Sequence, residues 1–278
     1  MPLQDQVILI SGCSTGIGRA LSLELAGRGH RVFASARNPD SIQDLTDSGI
    51  EALPLDVTHA DSIESCVKQV VSRAGRIDLL INNAGVNTVG PLTELPLEDV
   101  RRLLDTNVTG LLGLTQAVFP HMAQRRTGRI VNIGSVVGLL GTPFSGAYCA
   151  SKAAVHMLSE VLRMEVSPFG IDVVVVQPGG VRSSIADTAS QGIDRYQSEQ
   201  SHYRAGFRGI QKRAAASQNK PMEAADFARR VADGLLADRP PRVIRAGRGA
   251  VLYPALSRAP SGLRQRIMSR TFELDSLP

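Results

Sequence analysis

Seven short apolar, β-branched runs alternate with helical patterns, and this alternation limits the fold more than any other feature of the chain. The runs are VILI (7–10), RVFASA (31–36), ALPLDV (52–57), LLINNA (79–84), RIVNIGS (129–135), DVVVVQP (172–178) and RVIRAG (242–247). Runs that are apolar on both faces are expected for strands buried on both sides of a parallel sheet. Helical patterns over 17–28, 61–74, 98–125, 151–167 and 222–237 separate them. Strand–helix repetition at this spacing predicts right-handed crossovers and a doubly wound α/β sheet of seven parallel strands with helices on both faces. The 278 residues suit one large domain spanning 1–278.

Two segments stand outside the repeat. Residues 183–221 form a long polar insertion between the sixth strand and the last helix, expected as an irregular substrate lid. Residues 239–278 carry the last strand and an arginine-rich tail, with eight arginines and no acid between Arg239 and Arg270. That segment accounts for the net charge of +5 and leaves the rest of the chain mildly acidic. The tail reads either as a solvated or inter-subunit surface, which is the favoured reading, or as a peripheral contact for anionic lipid. Tryptophan is absent and aromatics make up 4% of the chain, which argues against a stacking platform for nucleic acid. No apolar run approaches the roughly 20 residues of a membrane span, and the N-terminus lacks a signal-peptide pattern. Three scattered cysteines (Cys13, Cys66, Cys149) fit a reducing, cytoplasmic setting. No cysteine or histidine pair has metal-ligand spacing, and the five histidines read as surface or packing residues.

ILISGCSTGIGRAL leaves the first strand and opens the first helix. The spacing G-x-x-x-G-x-G differs from the commoner G-x-G-x-x-G, but the physics is similar. Gly12 permits the exit from the strand, Gly16 lets the backbone approach a pyrophosphate, and Gly18 lets the helix pack on the sheet. The helix N-terminus then presents free N–H groups and a positive dipole end to an anion. Ser14 and Thr15 add hydroxyls, and Ile17 completes the loop. After the second strand comes Arg37, where a carboxylate would select an adenosine ribose 2′-OH. A guanidinium there binds a 2′-phosphate, so the expected cofactor is NADP(H) in preference to NAD(H); the alternative is a solvated loop arginine. Asp56 and Val57 follow the third strand, where they would cover an adenine. Asn83, Ala84 and Gly85 follow the fourth with small side chains at a close backbone approach.

Tyr148 and Lys152 lie four residues apart in SGAYCASKAAVHMLSEVL, on one face of a helix. Taken alone, such a pair is as readily a surface coincidence as a site. The segments SGCSTGIG, LPLDV, NNAG, TNVTG, IVNIGS, YCASK and VVQPGGV, in this order over about residues 5–183, resemble the short-chain dehydrogenase/reductase family, a Rossmann-type fold. The strand-two segment, the helix around Tyr148 and the tail look like its branch handling steroids, retinoids and acyl-dihydroxyacetone phosphate. Ser11 and Ser183 stand where threonine is usual, and both keep a hydroxyl. The resemblance implies a catalytic set of Asn107, Ser135, Tyr148 and Lys152. It also implies cofactor contacts from the glycine loop, Arg37, the Asn83–Gly85 turn, Tyr148, Lys152, and the Pro178, Gly179, Val181 and Ser183 segment.

Reduction of a carbonyl by hydride leaves an oxygen that needs a proton. A phenol with a pKa near ~10 is poorly matched to neutral pH, and an ammonium within about 4–6 Å is expected to lower it. Tyr148 would then be the general acid and base, Lys152 would tune it and reach the nicotinamide ribose, and Ser135 would donate to the substrate oxygen. Asn107 falls inside a helical pattern and reads as a helix-surface amide; the resemblance implies instead a local distortion and a water relay to Lys152. Val136, Val137, Leu139, Leu140, Pro143 and Phe144, with Tyr196, Tyr203 and Phe207 from the lid, are expected to line an apolar pocket for a lipophilic carbonyl or alcohol. Helices 98–125 and 151–167 show more apolar surface than one sheet face needs, and the resemblance, to a family that commonly pairs these helices between subunits, implies a homodimer or homotetramer. The competing reading is a non-catalytic cofactor sensor or scaffold, which need not keep all four residues.

Overall fold

The structure, a computed structural model, describes residues 5–277 apart from the side chains at 186 and 187, so the extreme ends of the expected 1–278 span lie outside the described residues. Seven parallel strands form one sheet in the order β3-β2-β1-β4-β5-β6-β7. They are β1 (Val7–Ser11), β2 (Arg31–Ala36), β3 (Glu51–Pro54), β4 (Leu79–Asn82), β5 (Gly128–Ile133), β6 (Ile171–Pro178) and β7 (Val243–Ala246). Every apolar run of the sequence becomes a strand. Those runs were continuous because both faces of the sheet are covered: β1 and β4 are buried at every position.

One face carries α1 (Gly16–Gly27) and, later in the chain, α8 (Ala224–Leu235); their core includes Ile8, Ile10, Leu21, Leu25, Phe227 and Val231. The other face carries α2 (Ala60–Ala74) and α4 (Gly110–Arg125), packed through Ile63, Val67, Val70, Leu114 and Val118 onto Leu9, Phe33 and Leu80. In α2 the buried set Ile63, Cys66, Val67 and Val70 follows the i, i+3, i+4, i+7 spacing of an amphipathic helix. A buried polar ladder crosses the centre. Asn82 Nδ2 donates to Thr115 Oγ1 and to Asn132 Oδ1, each at 2.9 Å, and Asn132 Nδ2 donates to Ser159 Oγ at 2.8 Å. Asn82 and Asn132 are register partners in β4 and β5. The ladder therefore fixes α4 and α5 (Gly146–Val166) to the two strands whose ends carry the site.

The helix expected over 98–125 is interrupted. It divides into α3 (Leu97–Leu104), a π-turn at Asp105–Thr109, and α4. The expected distortion at Asn107 is present.

The 183–221 segment is helical rather than irregular. It contains α6 (Ile185–Ser190), short 3-10 turns and α7 (Phe207–Ala215). The arginine-rich tail also folds back as α9 (Leu252–Ser257) and α10 (Ser261–Thr271). Together they enclose a third core containing Ile193, Tyr196, Phe207, Ile210, Met268 and Phe272. Leu140 and Phe144 belong to that core too, which corrects their expected place in the pocket. Phe144 has a φ of 60°, and this left-handed turn directs its ring toward Tyr203, edge-to-face at 6.1 Å. Among the described residues no helix is long and apolar enough to cross a membrane, and all three cysteines are free and buried.

Candidate active site

In an open parallel sheet the ligand crevice forms beyond the carboxyl ends of the strands, where the strand order reverses. Here the reversal lies between β1 and β4, and a cleft of about 1370 Å³ opens there. Its walls include Gly12, Ser14, Thr15, Gly16, Ile17, Arg37, Asp56, Val57, Asn83, Ala84, Gly85, Ser135, Tyr148, Lys152, Pro178, Gly179, Val181 and Ser183. Of the catalytic and cofactor-binding residues expected from the sequence, Gly18 and Asn107 alone are set behind this wall, and both support it.

Gly12 has a φ of 73°, and a Cβ there would lie 2.7 Å from Ala84 Cα. A Cβ at Gly18 would lie 2.4 Å from both the Gly12 carbonyl and the Asn83 side-chain amide. The first glycine is needed for backbone conformation and the second for close packing. Ser11 explains why a hydroxyl is kept at that position: its Oγ accepts from the backbone amides of Asn83 and Ala84, each at 3.0 Å. Asn83 returns the tie through Nδ2 to the carbonyls of Ser11 and Gly12. Thr15 Oγ1 and Ser184 Oγ share a hydrogen bond, so the Pro178–Ser183 segment closes against the glycine loop.

Arg37 is exposed at the end of β2 and faces the cleft. It has no carboxylate partner within salt-bridge distance among the described residues. Asp56 is engaged by its own turn: its Oδ1 accepts from Thr58 N at 2.9 Å and Thr58 Oγ1 at 2.7 Å. Burial opposes ionisation of that carboxyl, but the Thr58 hydrogen bonds and nearby His59 and Arg37 outweigh it and hold the carboxyl below its ordinary range. An unpaired cation beside a glycine cradle fits a phosphorylated dinucleotide.

At the other end Tyr148, Ser135 and Lys152 are all buried. Lys152 Nζ lies 5.7 Å from the centre of the Tyr148 ring, so the two side chains face one another as their spacing implied. The Lys152 Nζ donates to the Ile133 carbonyl at 2.8 Å. The expectation that Lys152 draws the phenol toward neutrality needs correction. Burial dominates at both groups, pushing the phenol up to about 12 and the ammonium down to about 8. Arg213 and a hydrogen bond with Ser135 pull the phenol the other way.

Asn107 Oδ1 accepts from Val86 N at 2.8 Å, and Nδ2 donates to the Val86 carbonyl at 2.9 Å and to Ser151 Oγ at 3.1 Å. Both of its N–H protons are thus used, one fixing the turn after β4 and the other tying Asn107 to α5. A Cβ on Gly85 would sit 3.3 Å from Asn107 Oδ1 and 3.7 Å from Lys152 Nζ, which places the three residues side by side. Cys149 packs beside Thr142 and is a structural thiol.

The expected pocket lining is only partly correct. Val136 and Val137 face the cleft, whereas Leu139, Leu140, Pro143, Phe144, Tyr196, Tyr203 and Phe207 do not. The 183–221 segment and the tail contribute Ile185, Thr188, Lys212, Arg213, Val251, Leu252 and Tyr253 in their place. In the sequence Arg213 carried no sign of its place: it lies on the buried face of α7 with Phe207, Ile210 and Ala214, which only the fold reveals.

A parallel sheet with a glycine loop at its switch point and a Ser–Tyr–Lys wall opposite defines a nicotinamide-dependent oxidoreductase fold. The family model described as short chain dehydrogenase matches residues 6–194, and this chain belongs to that family. The 3-ketodihydrosphingosine reductase of Bacteroides thetaiotaomicron is 40% identical over 185 residues, 66% of this chain and 67% of its own length. The NADPH-dependent 1-acyldihydroxyacetone phosphate reductase of Schizosaccharomyces pombe is 39% identical over 183 residues, 65% of this chain and 62% of its own. The match therefore spans about two thirds of these curated relatives. A short-chain dehydrogenase structure from Streptomyces avermitilis superposes with a TM-score of 0.78 at 29% identity, covering 98% of this chain and 97% of that one. The branch to which the motifs pointed includes such an acyl-dihydroxyacetone phosphate reductase.

Proposed function

We propose that this protein transfers a hydride between NADP(H) and the carbonyl, or the corresponding primary or secondary alcohol, of a lipophilic substrate. The observation that carries the reading is one continuous cleft with the unpaired Arg37 at one end and Tyr148, Ser135 and Lys152 together at the other. When bound, the nicotinamide supplies or accepts the hydride. The glycine loop, the α1 N-terminus and Arg37 would hold its phosphates, and Asp56 and Val57 would flank the adenine. The Asn83–Gly85 turn and the Pro178–Ser183 segment would border the rest.

In the reductive direction Tyr148 gives its proton to the substrate oxygen. Burial raises its pKa and holds the phenol in its protonated, donating form, while Arg213 and the Ser135 hydrogen bond oppose part of that rise and favour the phenolate it leaves behind. Ser135 donates to the same oxygen as charge develops there. Lys152, with Nζ 5.7 Å from the centre of the Tyr148 ring, would set a cation beside the phenol and reach the nicotinamide ribose. Asn107 holds the turn that sets Gly85 beside Lys152. Val136, Val137, Ile185, Val251 and Leu252 give the substrate end an apolar wall, consistent with an acyl or polyisoprenoid chain. The 183–221 segment and the tail act as the lid.

The test is a carbonyl panel of steroids, retinal and acyl ketones followed by NADPH absorbance, with NADH in parallel. Tyr148→Phe should lower kcat by about 10³-fold or more, and Ser135→Ala by about 10²–10³-fold. Turnover unchanged in Tyr148→Phe removes the proton-transfer assignment, and a preference for NADH removes the role given to Arg37.

A further inference from the structure

Arg213 is 6% exposed and borders the cleft beside Tyr148. Its Nε donates to Thr142 Oγ1 at 3.1 Å and its Nη2 to Ser145 Oγ at 2.8 Å. Both acceptors are neutral hydroxyls, and Nη1 has no protein acceptor among the described residues. A buried guanidinium is costly unless a counter-charge accompanies it. This chain meets that requirement elsewhere: the equally buried Arg129 pairs with Asp172 at 2.9 Å and donates to the carbonyls of Leu235 and Ala237. Arg213 has no carboxylate within salt-bridge distance among the described residues.

The two hydroxyls do more than solvate the charge. They hold the Nε–Nη2 edge of the fork and so fix the plane of the guanidinium. The other edge, with Nη1, is left for a ligand. Lys212 borders the same cleft, and its contact with Glu273 is a long one at 3.5 Å. An apolar wall of Val136, Val137 and Leu252 borders the same space.

We infer that Arg213 is the recognition site for an anionic oxygen group, a carboxylate or a phosphate, on a substrate that also carries the reacting carbonyl and an apolar chain. This rests on the oxidoreductase reading above for the carbonyl, but the anion site stands on the guanidinium alone. Hydrogen bonds between charged partners discriminate by about 10- to 100-fold against a neutral group of the same shape.

Titration calorimetry on the protein saturated with NADP⁺ tests this with octanoate, monooctyl phosphate and the neutral isostere octanamide. Saturation with the dinucleotide keeps the probes out of its phosphate sites, and no turnover is read. The wild-type protein should bind one or both anions at least tenfold more tightly than octanamide, and the better anion tells carboxylate from phosphate. Arg213→Gln should erase the difference, Lys212→Gln should retain most of it, and Arg213→Lys should retain part. Equal affinity of wild-type protein for all three probes, a comparison that needs no variant to fold, overturns the inference. So does an anion preference that survives in Arg213→Gln. If instead no carbonyl oxidises NADPH but the anion preference holds, the catalytic reading fails and the anion site remains.

Discussion

His156 lies one helical turn beyond Lys152, and its Nε2 accepts from the backbone amide of Ser135 at 3.4 Å. A Cβ at Gly134 or Gly138 would come within 2.4 or 2.7 Å of its ring, so the loop after β5 closes tightly around the imidazole. Its Nδ1 is buried with no hydrogen-bond partner among the described residues. Burial, with added repulsion from Lys152 and Arg245, pushes the imidazole from 6.5 down to about 4. The unfolded chain then binds a proton that the folded chain refuses. Stability attributable to this residue is intact above pH 6.5, falls as pH drops through the window from 6.5 to about 4, and levels off below it. The expected loss across that window is about 3 kcal/mol. Urea midpoints measured at intervals from pH 7 to 4 should show this fall in the wild-type protein and a shallower one in His156→Gln. Parallel curves would show that the imidazole is not the group responsible. A single histidine in a sequence carries no sign of such a role. It was legible only as a packing residue, which it also is.

At the scale of elements, the strands were readable because burial on both faces leaves no room for polar alternation. The glycine loop was readable because its position between β1 and α1 adds to its composition. The π-turn was not readable from periodicity, since VRRLLDTNVTGLLGL is apolar at helical spacing throughout; only the family resemblance marked Asn107. Its purpose is visible in three dimensions. The wide turn carries Asn107 inward, where its side chain replaces a strand partner for both backbone groups of Val86. Truncation should therefore leave two half-buried backbone groups of Val86 without their side-chain partner. Asn107→Ala is expected to cost about 2–4 kcal/mol, read from urea denaturation, and to lower kcat because the Gly85 turn loses its anchor beside Lys152. A variant of unchanged stability would show that water readily replaces the amide. The lid was misread for a different reason. Its helices are short and mostly polar, and the stripe of Phe207, Ile210, Arg213 and Ala214 makes sense only against a core supplied by the far C-terminus. The apolar run from Leu139 to Phe144 pointed to a pocket, yet the left-handed turn at Phe144 sends that bulk under the lid.

At the scale of the whole molecule, helix α5 presents an apolar stripe that the sheet does not cover. Helix α5 gives Tyr148, Ser151, Lys152, Val155 and Ser159 to the interior. On the opposite side Met157, Val161 and Met164 are 60%, 38% and 65% exposed at i, i+4 and i+7 spacing. Leu97 and Leu104 on α3 and Phe169 just beyond α5 are also exposed. An exposed apolar stripe along one helix, Met157, Val161 and Met164, is suited to association. We propose that its partner is a second copy of the chain, because a helix stripe packs readily against itself about a two-fold axis. The same helix would then carry catalytic groups on one side and the subunit contact on the other, so association would stiffen the frame that aligns Tyr148 with Ser135. Sedimentation velocity at tens of micromolar protein should give twice or four times the chain mass. Met157→Glu combined with Val161→Glu and Met164→Glu should give a folded species with a smaller assembly. Specific activity of the wild-type protein should fall on dilution through the dissociation range, while the triple variant stays low and concentration-independent. A wild-type protein that sediments as a monomer at those concentrations would leave the α5 stripe without this partner.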